Sequence, residues 1–339
     1  MLYSLRLRSP RKEEPLVFQL TEPFTLEGKE LSIQNAIRTT YDSYFAQAAV
    51  TRAWFPHRLD ARVELRRHSH RAGEVDPKVK EMLLGFLAVE SFVDDYVYAG
   101  IQGAGDNVTI RESTYQWGIE ERRHGQTFRM CLIDGGFLTQ AEVDSFLAEC
   151  SQDTWVFERQ TGFAATAYNA SAYAITQERQ TRHNYTSFRK FLRAEYARTG
   201  NPLLLAIDDA VGYVERDEGA HEGNFRAILR IYLRYRPDLA IEAMNRAFDH
   251  YTMPIVTIPN KQEFAEAIVA AGVFSLIGWG REVLKPSLKG MGFENRRALK
   301  AAEVAVQELP EDAVVVLPNK PVIEIPQGAR VYELVPNGS

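Results

Sequence analysis

Asp217-Glu-Gly-Ala-His-Glu222 repeats a pattern that stands far upstream as Glu120-Glu-Arg-Arg-His-Gly125: an acidic residue, then Glu-x-x-His. On a helix, positions i and i+3 share a face. Glu121 with His124, and Glu218 with His221, therefore each aim a carboxylate and an imidazole at one point. One such pair is common on solvated helices. Two pairs are what a carboxylate-bridged two-metal site takes from two helices of a four-helix bundle, the other two helices each giving a single glutamate.

The first single glutamate is expected on the helix before Glu121, and the apolar run from Leu83 to Gly100 carries Glu90 in its middle. A carboxylate there is expensive unless it is paired or bound to a cation. Glu90 lies about 14 residues before the turn at Gly103 to Gly105, and Glu121 about 17 after it, so an antiparallel hairpin brings them to one level. For the second, the tetrapeptide Glu-Arg-Gln-Thr occurs twice, starting at Glu158 and at Glu178. The turn Thr199-Gly-Asn-Pro202 lies about 17 residues ahead of Glu218, and Glu178 lies about 22 before that turn. On a continuous helix Glu158 is a further ~30 Å away. It comes within reach only if a break near Gly162 or Asn169 folds its segment back.

Glu90, Glu121, His124, Glu178, Glu218 and His221 then supply four carboxylates and two imidazoles. This hard, oxygen-rich set suits two iron or manganese ions rather than structural zinc, and its four negative charges balance two divalent cations.

The rest of the chain is consistent with such a bundle. Apolar residues recur at helical spacing from about Leu31 to about Gly290, with breaks at Phe55-Pro56, residues 70–76, 100–107, 134–136 and 199–202, Arg236-Pro237 and Pro259-Asn260. After Glu311 the tail turns β-branched and proline-rich, which predicts a small hairpin or extended arm. The expected organisation is a helical domain over 1–310, with the bundle core about 80–235, and an arm over 311–339. The formal net charge of −5 speaks against nucleic acid as the main partner, and the two cysteines among 339 residues exclude a disulfide framework. The longest low-polarity run, Ala267 to Gly280, is too short to span a bilayer. A cytoplasmic protein without a membrane span is expected.

With these residues placed, the chain resembles the soluble acyl-carrier-protein desaturases of the ferritin-like superfamily over roughly residues 35–305. Trp117 stands four residues before Glu121, and Gly125 follows His124, as in the family's Trp-x-x-x-Glu-x-x-His-Gly. Gln177-Glu-Arg-Gln-Thr181 is similar to its Gln-Glu-Arg-x-Thr, where the Glu158 copy has Phe157 in place of the glutamine. Asp217 to Glu222 resembles its Asp-Glu-x-x-His-Glu, and Thr252-Met-Pro254 its helix break. The span from Glu90 to Glu121 is shorter than in plant members, and the tail matches nothing in the family.

The resemblance implies an all-α, ferritin-like four-helix bundle with additional helices and a short β-rich C-terminal arm. It implies two Fe2+ ions per chain, O2 as co-substrate, reduced ferredoxin as electron donor, an acyl chain on acyl carrier protein as substrate, and a homodimer. It gives Thr181 a part in proton delivery, although its spacing equally fits a hydroxyl bonded to its own helix. Asp217 would accept from a ligand histidine and link to Trp54, and Trp117 would pack against the cluster. Small residues between Gly162 and Thr176 fit a substrate cavity or simply a good helix. The arginine-rich stretches 182–193 and 226–236 fit an acidic carrier's docking face or an ordinary solvated surface.

A di-iron hydroxylase, an N-oxygenase of a biosynthetic pathway and a ferritin-type iron-binding protein are the competing readings. N-oxygenases of this superfamily add a histidine four residues before the second-pair glutamate, where this chain has Val214. Storage ferritins are far shorter.

Overall fold

The computed structural model describes residues 3–7, 26–317, 326 and 328–336; the proline-rich segment 8–25 and most of the tail between 318 and 327 lie outside them. Its centre is a bundle of long helices: α3 (Pro77–Glu90) continued by α4 (Val93–Ala104), α5 (Val108–Asp134), α8 (Ala167–Thr199) and α9 (Pro202–Tyr235). At 33 and 34 residues, α8 and α9 each run ~50 Å and pack along one another as an antiparallel pair. Around this bundle lie α1 (Leu26–Val50), α2 (Asp60–His68), α6 (Gln140–Cys150), the single turn α7 (Phe157–Thr161), α10 (Pro237–Asp249) and α11 (Lys261–Ala270).

Helices that must hold a common site need fixed registers, and each of these four begins on a side chain that accepts an otherwise orphaned backbone N–H. Asp76 caps α3, Asn107 caps α5, Thr166 caps α8 and Asn201 caps α9. Gly200, at φ 64°, closes α8, and Pro202 opens α9 two residues later, so the tightest hairpin of the bundle is set by its turn chemistry.

The expected breaks are present, and others join them, among them 91–92, 151–156 and 271–275. Leu83 to Gly100 is not one helix. α3 ends at Glu90 itself, and Ser91 and Phe92 turn the chain through backbone bonds to Ala88 and Val89 before α4 resumes. Below the site, the rings of Phe86, Phe128, Phe188 and Tyr185 pack at centroid distances of 5.0–5.5 Å and seal the bundle against water.

The tail is not a hairpin. β2 (Ala313–Val316) and β3 (Arg330–Pro336) run parallel, in register Ala313 to Arg330, because the chain crosses over between them. β3 also pairs antiparallel with an N-terminal strand, β1 (Tyr3–Leu7), giving a three-stranded sheet in the order β1-β3-β2. Val314 and Val315 belong to the same apolar core as the bundle, so this arm packs onto the helices rather than standing apart.

Gly103 sits where α4 meets the loop ahead of α8. A Cβ there would come within 1.9 Å of the Ala165 carbonyl oxygen, a backbone atom that cannot swing away. The substitution Gly103→Ala is expected to lower stability by about 1–3 kcal/mol through overpacking, read as a lower urea midpoint at unchanged m-value.

Candidate metal centre

Each bundle helix delivers its part to one buried point. α3 brings Glu90, α5 Glu121 and His124, α8 Glu178, and α9 Glu218 and His221, all of them buried. They form two overlapping groups: Glu90, Glu121, His124 and Glu218, and Glu121, Glu178, Glu218 and His221. Within each group the ligand atoms lie within 4.8 Å of one another, and Glu121 and Glu218 belong to both. His124 Nδ1 is 3.2 Å from both Glu121 and Glu218, and His221 Nδ1 is 2.7 Å from Glu121 and 3.3 Å from Glu178.

Glu158 is not among them. The break at Gly162 that could have folded its segment back is present, but Glu158 is exposed on α7. Loop arithmetic from the turn at Gly200 picks the copy that reaches the cluster.

The surrounding polar groups are crossed between the two pairs. Glu120, the residue before Glu121, lies 2.8 Å from Nε2 of His221, and Asp217, the residue before Glu218, lies 3.6 Å from Nε2 of His124. Asp217 also accepts from Trp54 Nε1 at 2.9 Å and Arg123 at 3.1 Å. Trp117 does more than pack: its indole N–H donates to Glu178 at 3.1 Å. The Thr181 hydroxyl reaches Glu218 Oε2 at 2.7 Å while also lying 3.0–3.1 Å from its own helix carbonyls at Glu178 and Gln177, so both readings of its spacing meet in one side chain.

Sequence reasoning passed over several of these partners. Tyr185 donates to Glu90 at 2.6 Å, Tyr44 donates to Glu120 at 2.5 Å, and Arg179 joins Glu222 at 2.9 Å. The last contact ties the residue after Glu178 to the residue after His221, a brace between α8 and α9. Glu120 and Glu222, inside the two motifs, were the available signal; the tyrosines had none.

The donor set fits metal. Glu121 Oε1, Glu218 Oε1, His124 Nδ1 and His221 Nδ1 are buried with no hydrogen-bond partner among the described residues. Such atoms are costly in a dry core unless a cation meets them. Electrostatics says the same. Burial, reinforced by the charge of Glu121, pushes Glu90 and Glu178 well above the ordinary carboxylate range. Burial disfavours the charged imidazoles, but Glu121 beside His124, and Tyr44 with Glu121 beside His221, hold both well above the ordinary histidine range. Without cations the cluster therefore holds its protons more tightly than free side chains do. Glu120 differs: burial opposes its charge, yet bonds from His221, Tyr44 and Gln116 bring it down to about 2.

An apolar cavity of about 60 Å³ adjoins the cluster through Trp117 and Gln177. Ala167, Ala170, Ser171 and Ala174, from the small-residue stretch of α8, line it together with Tyr173 and Phe225.

A family model described as fatty acid desaturase matches residues 97–320, well over half of the chain. The chain belongs to this family. No curated protein matches it by sequence. Among solved structures, an R2-like ligand-binding oxidase mutant with aerobically reconstituted Mn/Fe cofactor is similar over 81% of this chain and 94% of its own, at 14% identity and a TM-score of 0.43. As a member of the desaturase family, the chain has the expected all-α, ferritin-like bundle, and no helix among its described residues is long and apolar enough to cross a membrane.

Two outcomes follow for the metal centre. Because the raised carboxylates and imidazoles must give up protons to a metal, anaerobic Fe2+ addition in weak buffer is expected to acidify the solution, and apparent affinity is expected to rise with pH across neutrality. Glu178→Ala is expected to lower bound iron measured by elemental analysis, whereas Glu158→Ala leaves it at the wild-type level.

Proposed function

We propose that this member of the fatty acid desaturase family is an O2-dependent di-iron oxidase that inserts a double bond into a fatty acyl chain carried on acyl carrier protein. The observation that carries this reading is the pair of overlapping donor groups sharing Glu121 and Glu218, set beside an apolar cavity inside one bundle. Glu90, Glu121, His124, Glu178, Glu218 and His221 would hold the two ions. Bound there, iron supplies the oxidising power, drawn from O2, that takes hydrogen from an unactivated C–H bond.

The overall balance is two hydrogens removed from adjacent carbons, and O2 reduced to two waters with two further electrons and two protons. Reduced ferredoxin is the proposed source of those electrons. The chain's own residues do the rest. The aromatic seal around Tyr185 and Phe86 excludes water, so that oxidising equivalents reach the substrate rather than solvent. The apolar lining beside Trp117 and Gln177 is the proposed contact for the alkyl chain.

Thr181 is the group placed to move a proton. Its one hydroxyl hydrogen has three acceptors within 2.7–3.1 Å, among them Glu218 Oε2, so it can pass between carboxylate and helix carbonyl without large motion. Asp217, with Trp54 and Arg123, holds the environment of His124. Arginines on the outer faces of α8 and α9 are the proposed docking face for the acidic carrier, and a homodimer is the proposed assembly.

The deciding measurement is mass spectrometry of acyl products after reaction with carrier-bound saturated chains of several lengths, with ferredoxin, its reductase and O2. A loss of two mass units is expected for at least one length. A gain of sixteen, with none losing two, would make the chain a hydroxylase instead.

A further inference from the structure

The two halves of the cluster share their bridging glutamates but differ in what backs their remaining ligands. His221 turns Nε2 to Glu120 at 2.8 Å, whereas Nε2 of His124 is 3.6 Å from Asp217 and has no hydrogen-bond partner among the described residues. The two backing carboxylates are also engaged differently. Asp217 already accepts from Trp54 and Arg123, with Arg52 at 3.9 Å, so two cations draw on its charge. Glu120 accepts from the neutral donors Tyr44 and Gln116, and its nearest arginine, Arg123, stands off at 3.5 Å. A carboxylate that keeps its charge makes the imidazole it faces a stronger donor.

The unshared glutamates differ in the same direction. Glu90 accepts a short bond, 2.6 Å, from the phenol of Tyr185, and Glu178 accepts a longer one, 3.1 Å, from the indole of Trp117. The shorter bond draws more charge from the oxygen that must otherwise serve the metal. Both comparisons leave the half with Glu178 and His221 richer in available charge.

We propose that the two metal subsites are unequal, the one built on Glu178 and His221 binding its ion more tightly and filling first, and that Tyr185 and Glu120 set the difference as positioning residues. This rests on the two-metal reading of the cluster. Two ions that share bridging carboxylates repel each other, so stepwise filling by itself says nothing about which half leads; the halves have to be separated.

The test is anaerobic titration of the full chain with cobalt(II), followed by its visible absorption, for wild type, His124→Gln and His221→Gln, with circular dichroism to verify folding. His124→Gln, which keeps the Glu178 half, is expected to bind one cobalt at the wild-type first-step affinity. His221→Gln is expected to bind its one cobalt at least ~10-fold more weakly, the usual scale for loss or gain of such backing groups. Tyr185→Phe removes only a hydroxyl and is expected to tighten the second wild-type step; it carries the test if a histidine variant fails to fold. Equal affinities in the two histidine variants, the reverse order, or a second step untouched by Tyr185→Phe overturn the proposal while two-ion stoichiometry keeps the two-metal reading intact. A wild-type chain that takes up fewer than two cobalt ions overturns both.

Discussion

Four buried carboxylates and two buried imidazoles share a few ångströms of space inside the bundle, and the rest of the molecule is arranged around that crowding. Like charges so close and so dry cannot coexist unneutralised. Either protons or cations must neutralise them, and the Nδ1 and Oε1 atoms that lack hydrogen-bond partners among the described residues are the donors a cation would meet. The long helices, their caps and the tight α8–α9 turn serve one end: they keep six candidate ligands from four helices at one level despite a repulsion that would spread them. The aromatic seal serves another, since water admitted to the cluster would weaken every interaction that gives it a use.

Support for the cluster is woven across the bundle rather than along any helix. Each Glu-x-x-His motif carries, just before its glutamate, the acid that attends the histidine of the other motif. Arg179 and Glu222, each just after a ligand, join the two longest helices. A displacement of α5 against α9 would therefore disturb both histidines at once, which couples the geometry of the two halves more tightly than the shared glutamates alone.

Much of this was legible in the sequence because it depends on local spacing. Glu-x-x-His places two ligands by helix geometry, and distance from a glycine-proline turn suffices to choose Glu178 over Glu158. The bundle follows from periodicity and caps. What escaped depends on contacts between residues distant in sequence: Tyr185 with Glu90, Tyr44 with Glu120, and Glu120 with His221 are each fixed by how helices pack, which no period or spacing encodes. The end of α3 at Glu90 escaped because the residues that turn there, Ser91 and Phe92, carry no glycine or proline. The strand Tyr3–Leu7 is short, and its partner lies at the opposite end of the chain.

That last pairing bears on how the molecule is assembled. β3 lies between β1 and β2, so each outer strand has it as its neighbour in the sheet. During synthesis β1 precedes the bundle helices and meets its partner strand, β3, only after those helices have been made. The helices that carry the cluster, α3 to α9, all precede β3 in the chain and can close around the cluster before then. The small sheet thus acts as a late clasp: it joins strands from either side of the bundle in the sequence over helices that are already formed.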